Sequence, residues 1–131
     1  MSGMEFFTSP DVQAMKLPFA EAVRVGDVFY LSGQMGIDFK TGKLVPGGME
    51  AEARQIMENI GAVLKKHGLG YGDIFKCTVM LADMAKWSDF NKIYVTYFPS
   101  GRYPTRSAFG AAALAMGGQA EVECWAYAGK R

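Results

Sequence analysis

Arg106 and Glu121 are the two residues of this chain best suited to chemistry. An arginine fork grips a carboxylate through two parallel hydrogen bonds, and a glutamate in a partly dry cleft takes a proton from water and returns it to a leaving group. Together they suit a reaction on a small carboxylate-bearing substrate. Both fall in predicted strands joined by a short connection, a spacing that allows them to be neighbours across an antiparallel pair. The plainer reading is then a cross-strand ion pair worth about 0.2–1 kcal/mol. Periodicity alone does not choose between the two. Ser32-Gly33-Gln34 closes another predicted strand, where a glycine marks a bulge or turn, or brings backbone amide and carbonyl close to a ligand. Asn91, among apolar residues of a predicted helix, suits either a local tertiary tie or a functional amide. Glu123 reads as a structural or interface partner. Lys76, the lone charge in its run, reads as a member of an edge or interface ion pair.

Other chemistries find little support. There is no phosphate-cradling glycine loop of recognised spacing and no strand-borne nucleophile motif. The only histidine, His67, sits at a predicted helix end beside Lys65 and Lys66, so no Ser-His or Cys-His pair is credible. Cys77 and Cys124 each lie in an apolar run and read as buried core thiols, and no paired cysteine spacing points to zinc. With 14 basic and 13 acidic residues the formal net charge is +1, which gives no broad electrostatic footprint for nucleic acid or an anionic membrane. No apolar run approaches a membrane span, and Met1 to Thr8 lacks a basic region followed by an apolar stretch, so the cytoplasm is the default location.

These candidates need a scaffold. At 131 residues, 50% hydrophobic and 21% charged, the chain suits one globular domain over residues 1–131. Glu5 to Thr8 and Phe19 to Val25 read as strands, and Gly26-Asp27 is a hairpin signal leading into Val28 to Ser32. The run Asp38 to Gly48 reads as loop. Met49 to His67 is the clearest helix: Ala53, Ile56, Ile60, Val63 and Leu64 share a face, Glu50, Arg54 and Glu58 are spaced for surface pairs, and Gly68 stands at the C′ position. Asp73 to Asp83 reads as a central strand apolar on both faces. Asp83 then caps a second helix, Met84 to Phe98, with Trp87, Phe90, Ile93, Tyr94, Tyr97 and Phe98 as its buried stripe. Arg106 to Leu114 and Ala120 to Ala128 are the last strands. The order β-β-β-α-β-α-β-β predicts an α+β fold, one mixed sheet with both helices on one face. The final strand sets Glu121, Glu123, Trp125 and Tyr127 against a row of small residues on its other side. Carboxylates mixed with large aromatics suggest an oligomer interface on the uncovered face.

Taken in order, Gly26-Asp27, Leu31-Ser32-Gly33-Gln34, Thr41-Gly42, Ala53-Arg54-Gln55, Asn59-Ile60, Gly72-Asp73-Ile74, Phe90-Asn91 with Tyr94, Pro104 with Arg106-Ser107, and Glu121-Val122-Glu123 resemble the reactive-intermediate deaminase family, also called YjgF-like or L-PSP. The resemblance covers nearly the whole chain. It implies a chorismate-mutase-like fold assembled as a homotrimer, with a central barrel of sheets and three clefts between subunits. It also implies cofactor-free hydrolysis of imines and enamines such as 2-aminoacrylate and 2-iminobutanoate to 2-keto acids and ammonia. Arg106 would hold the substrate carboxylate and Glu121 would activate water. Backbone near Ser32, Gly33 and Ala108 would hold the imine end, with Phe19, Asn91 and Tyr94 around the cleft. Two departures bear on substrate range. Leu17-Pro18-Phe19 stands where the family usually has Gly-Pro-Tyr, which removes a hydroxyl, and Ala108 replaces a common cysteine. They leave open a binding protein for a small 2-keto acid, or a related hydrolase acting on a carbamate or aminoacrylate. A ribonuclease, an activity claimed for some relatives, is disfavoured by the near-neutral charge and the lack of an acid–base histidine.

Overall fold

A computed structural model describes residues 3–130. In chain order the elements are strand β1 (Met4–Phe7), helix α1 (Pro10–Ala14), β2 (Ala22–Val25), β3 (Val28–Leu31), β4 (Gln34–Met35), β5 (Ile37–Asp38), β6 (Lys43–Leu44), helix α2 (Gly48–Lys66), β7 (Ile74–Leu81), helix α3 (Trp87–Tyr94), β8 (Thr105–Gly110) and β9 (Ala120–Tyr127). Across the main sheet the order is β1-β2-β3-β9-β7-β8, with β4 also paired to β9. Every pairing is antiparallel except β7 with β8. Those two strands flank α3, and a parallel pair needs such a crossover. The mixed α+β plan with both main helices on one face is as expected.

The helix face of the sheet is the core. Phe29, Val79, Leu81, Val122 and Cys124 from the strands meet Ile56, Met57, Ile60 and Leu64 of α2 and Phe90 of α3, all essentially buried. The expected stripe of α2 is therefore correct. The helix ends as expected too: Gly68 has φ +73°, its N–H donates to the Lys65 carbonyl (3.1 Å), and the Leu69 N–H donates to the Leu64 carbonyl (2.9 Å). On the outer side, Glu50 pairs with Lys92 of α3 (3.6 Å) rather than with Arg54.

Several boundaries differ from expectation, each for a physical reason. Strand β2 begins at Ala22, not Phe19, because its partner β1 ends at Phe7, opposite Ala22. Helix α1 lies in a stretch with no predicted element. Ser9 caps it by accepting from the Val12 N–H (3.2 Å), and Pro10 sits in its first turn. The expected loop at Asp38 to Gly48 contains β6, paired with β5. The second helix is broken. Asp83 caps a 3₁₀ turn over Met84–Lys86 (Oδ1 accepting from the Ala85 N–H, 2.9 Å), α3 follows, and a further 3₁₀ turn spans Val95–Tyr97. Strand β8 stops at Gly110 because its partner β7 ends at Leu81.

Strand β7 is not apolar on both faces as expected. Its inward residues Cys77, Val79 and Leu81 are buried, while Lys76, Thr78 and Met80 look outward. A register shift between Ile74 and Lys76 makes Phe75 an extra, exposed residue. Lys76 joins no ion pair among the described residues. It lies over the Trp125 ring, 4.0 Å from the centroid. Strand β9 alternates as predicted, with Ala120, Val122, Cys124 and Ala126 inward and Glu121, Glu123 and Trp125 outward. No helix among the described residues is long and apolar enough to cross a membrane.

Candidate active site

Arg106 lies on β8, an edge strand, opposite Cys77 of β7. Paired residues share a face, so Arg106 points to the helix side and meets α3. Its guanidinium carbon is 4.7 Å from the Tyr94 ring centroid and 5.9 Å from those of Phe90 and Trp87. Residues 87, 90, 91 and 94 share one helix face by their spacing, which explains why these rings converge. No carboxylate pairs with Arg106 among the described residues. The aromatic frame holds the guanidinium by cation–π attraction while leaving its hydrogen-bonding fork unused. Beside it is a cleft of about 300 Å³, lined by Trp87, Asn91, Tyr94, Val95, Tyr103, Pro104 and Arg106. Among the described residues Asn91 Oδ1 is buried without a hydrogen-bond partner, and the buried Tyr94 hydroxyl lies against the Cys77 thiol. Burial and the adjacent Cys77 push the Tyr94 phenol far above its ordinary range, so it stays a neutral hydroxyl.

Sequence spacing brought Asn91 out as either a tie or a functional amide. The structure places its amide in the Arg106 cleft with an oxygen still unsatisfied. Ala108, two residues beyond Arg106 on the same face of β8, packs against the core. Beneath Arg106 the two cysteines are buried as expected, and they face each other across β7 and β9 with sulfurs 2.8 Å apart. The contact with Cys124 holds the Cys77 thiol below the ordinary range, and Cys124 is pushed up in return.

The second group surrounds Glu121. Between the pairs Tyr30–Trp125 and Gln34–Val122 the chain advances four residues on one side and three on the other. That extra residue is a bulge at Ser32-Gly33. The Ser32 hydroxyl donates to the Ala20 carbonyl (2.6 Å), tying the preceding loop, with exposed Phe19, to the end of β3. Gly33 has no side chain because the Glu121 carboxylate occupies that space: a Cβ there would overlap Glu121 Oε2 and stand 3.1 Å from its Cδ. Burial, then the charge of Glu123 two residues along, raise the Glu121 pKa above the usual carboxylate value. Glu121 is thus poised to exchange a proton nearer neutrality than a free glutamate.

The expectation that Arg106 and Glu121 are cross-strand neighbours is incorrect. Strand β7 lies between β8 and β9. Arg106 aligns with Cys77, and Glu121 with Met80, three positions away on the other face of the sheet. Two strand spacings and three residues along the strand separate their backbones by roughly 14 Å. Neither a salt bridge nor a shared small substrate is possible within one chain. Consecutive in sequence, β8 and β9 do not pair with each other: β8 pairs in parallel with β7, which pairs with β9 on its other side.

The sequence and the fold, a mixed sheet backed by two helices, both match known proteins. The profile of the Endoribonuclease L-PSP family matches residues 11–128. Over 112 residues the chain is 44% identical to the mouse protein named 2-iminobutanoate/2-iminopropanoate deaminase, covering 86% of this chain and 82% of that protein. It is 41% identical to the human protein of the same name, over 86% and 81% of the two chains. Among solved structures, a conserved Rid-family protein of Yersinia pestis superposes with a TM-score of 0.88 at 31% identity, over 95% of this chain and 98% of that one. Escherichia coli TdcF, solved with bound serine, superposes with a TM-score of 0.78 at 32% identity, over 84% and 87%. The chain belongs to the Rid/YjgF/L-PSP family of reactive-intermediate deaminases and their relatives.

Proposed function

We propose that this chain hydrolyses small 2-imino carboxylates, and the enamines in equilibrium with them, to 2-keto acids and ammonia. The working site is a cleft between two copies in a homotrimer, with Arg106 from one copy and Glu121 from the next. The observation that carries this reading is the Arg106 guanidinium, framed by rings, free of any acidic partner among the described residues and open to a small cleft. The names of its relatives point to the same substrate class. The serine bound by a structural relative is a small 2-amino carboxylate of similar shape.

In this scheme Arg106 receives the substrate carboxylate in its fork and fixes the direction of the imine carbon. Glu121 takes a proton from water as the water oxygen bonds to that carbon, and the imine π-electrons move to nitrogen. Glu121 returns that proton to the nitrogen to complete the neutral carbinolamine, and then carries the carbinolamine hydroxyl proton to the amine as the O–H electrons form the carbonyl. The C–N bond breaks and ammonia leaves. A carboxylate with a raised pKa suits both directions of transfer. No metal or organic cofactor enters this scheme.

Two features support assembly. Arg106 and Glu121 cannot meet on one substrate within a single chain. The outward sheet face also carries exposed Phe6 and Phe109 with half-buried Tyr30 and Trp125, more apolar surface than a monomer ordinarily leaves in water. The test is ammonia release from imines made in place by an amino-acid oxidase, with wild type compared against Arg106→Ala and Glu121→Gln. Acceleration over buffer that both variants lose is the expected result. If wild type matches buffer, the cleft binds carboxylates without turnover.

A further inference from the structure

The Arg106 cleft holds more than a carboxylate needs. Beyond the guanidinium its walls are Trp87, Val95, Tyr103 and Pro104, and no second charge lines it. Within a single chain these walls are uncovered: Trp87 is 44% exposed, Val95 41% and Tyr103 54%. Trp87 was expected in the buried stripe of its helix. Instead, Phe90, Ile93, Tyr94 and Phe98 fill the core, and the indole stands at the mouth of the cleft. Large apolar groups standing together in water around a single unpaired cation describe a site shaped for an amphipathic molecule, with one anionic end and one apolar body. The cleft of about 300 Å³ lies at the small end of ligand pockets.

We propose that Trp87 and Tyr103 form a side-chain subsite that makes this protein selective for imines with branched or aromatic side chains over those with a methyl or ethyl group. The proposal rests on the deaminase reading and extends it from reaction to substrate. With the carboxylate on the Arg106 fork, the substituent on the imine carbon lies against the indole and the phenol ring, which cover it from water. Each added methylene then contributes to transition-state binding, whereas a methyl group leaves the walls wet. Tyr103 comes from the connection before β8 and Trp87 from the start of α3. The subsite is therefore built by two segments that either variant can probe separately.

The experiment measures kcat/KM for imines generated in place from alanine, 2-aminobutyrate, leucine and phenylalanine. Wild type is compared with Trp87→Ala, Trp87→Phe and Tyr103→Ala. The expected result is efficiency rising with side-chain size in wild type. Trp87→Ala also removes one ring of the Arg106 frame, so the reading is the difference between substrates: its loss with the leucine and phenylalanine imines should exceed its loss with the alanine imine by about 10-fold or more. Trp87→Phe should restore most of the loss, and Tyr103→Ala should give a smaller loss of the same pattern. Equal efficiency across the series, or a uniform loss in both alanine variants, overturns the subsite while leaving the deaminase reading intact. If wild type accelerates no imine, the deaminase reading fails, and calorimetric titration with pyruvate and phenylpyruvate decides the subsite alone. Tighter phenylpyruvate binding that Trp87→Ala abolishes supports it, and equal affinities overturn it.

Discussion

Replacing Gly33 with alanine tests whether the position of Glu121 matters separately from its presence. The backbone at Gly33 is outside the left-handed region, so alanine is allowed there without strain. The obstacle is local. The new Cβ would stand 3.1 Å from Glu121 Cδ and 3.3 Å from Cγ, and would overlap Oε2. Carbon atoms rest at about 3.5–4.0 Å, so the carboxylate must move by about 1 Å. A flexible side chain half open to water makes that move cheaply, and stability should change by less than about 1 kcal/mol. Chemistry is less tolerant, because a 1 Å misplacement of a reacting group costs about 100-fold, equivalent to about 2.7 kcal/mol of barrier. The assay is kcat/KM for imine hydrolysis beside thermal unfolding of the same sample. A folded variant with activity reduced about 100-fold is the expected outcome. Wild-type activity in a stable Gly33→Ala protein would refute the placement of Glu121 as the proton-handling group.

Further outcomes can be checked with the same reagents. Glu121 titrates above the usual carboxylate range through burial first and Glu123 second, so activity should fall as pH drops through that raised value; Glu123→Gln should move this acidic limb to lower pH in a pH–rate profile. A raised carboxylate pKa contributes stability that is present below the unfolded-state value and lost as pH rises through the folded-state value. Glu121→Gln should therefore raise the melting temperature at pH 7 and lose that advantage near pH 4. Phe29 is fully buried, with His67 and Phe7 against its ring at 4.7 and 5.8 Å, so Phe29→Ala should cost about 3–5 kcal/mol in urea unfolding without altering the slope.

Local patterns in the sequence carried the helices and the faces of strands, because a side chain's burial repeats with the period of its element. The α2 stripe and the two rows of β9 follow from that rule alone, and the turn at Gly26-Asp27 from its residue types. Pairing is a different kind of information. Nothing in the run Thr105–Gly110 says that it joins β7 in parallel rather than β9, and that choice decides which face Arg106 takes. Trp87 is the first residue of α3, straight after the 3₁₀ turn, and its exposure does not follow from its spacing from Phe90. The Ser9-Pro10-Asp11 start of α1 is legible in residue types, a capping serine followed by a proline in the first turn. The grouping of Asn91 and Tyr94 with Arg106 came from family resemblance, because helix periodicity gives no reason to prefer that strand residue as their neighbour.

Placing Arg106 and Glu121 on opposite sides of one sheet has a genetic consequence. Two defective alleles, one lacking the arginine and one lacking the glutamate, need not be defective together. In a ring of three chains where each cleft borrows one residue from either neighbour, any mixed ring contains one cleft that draws Arg106 from one allele's product and Glu121 from the other's. With equal amounts and random assembly, about a quarter of wild-type activity should return when the two inactive proteins are co-expressed. A site contained within one chain would show no such rescue, so complementation between alleles reads the architecture of the cleft directly.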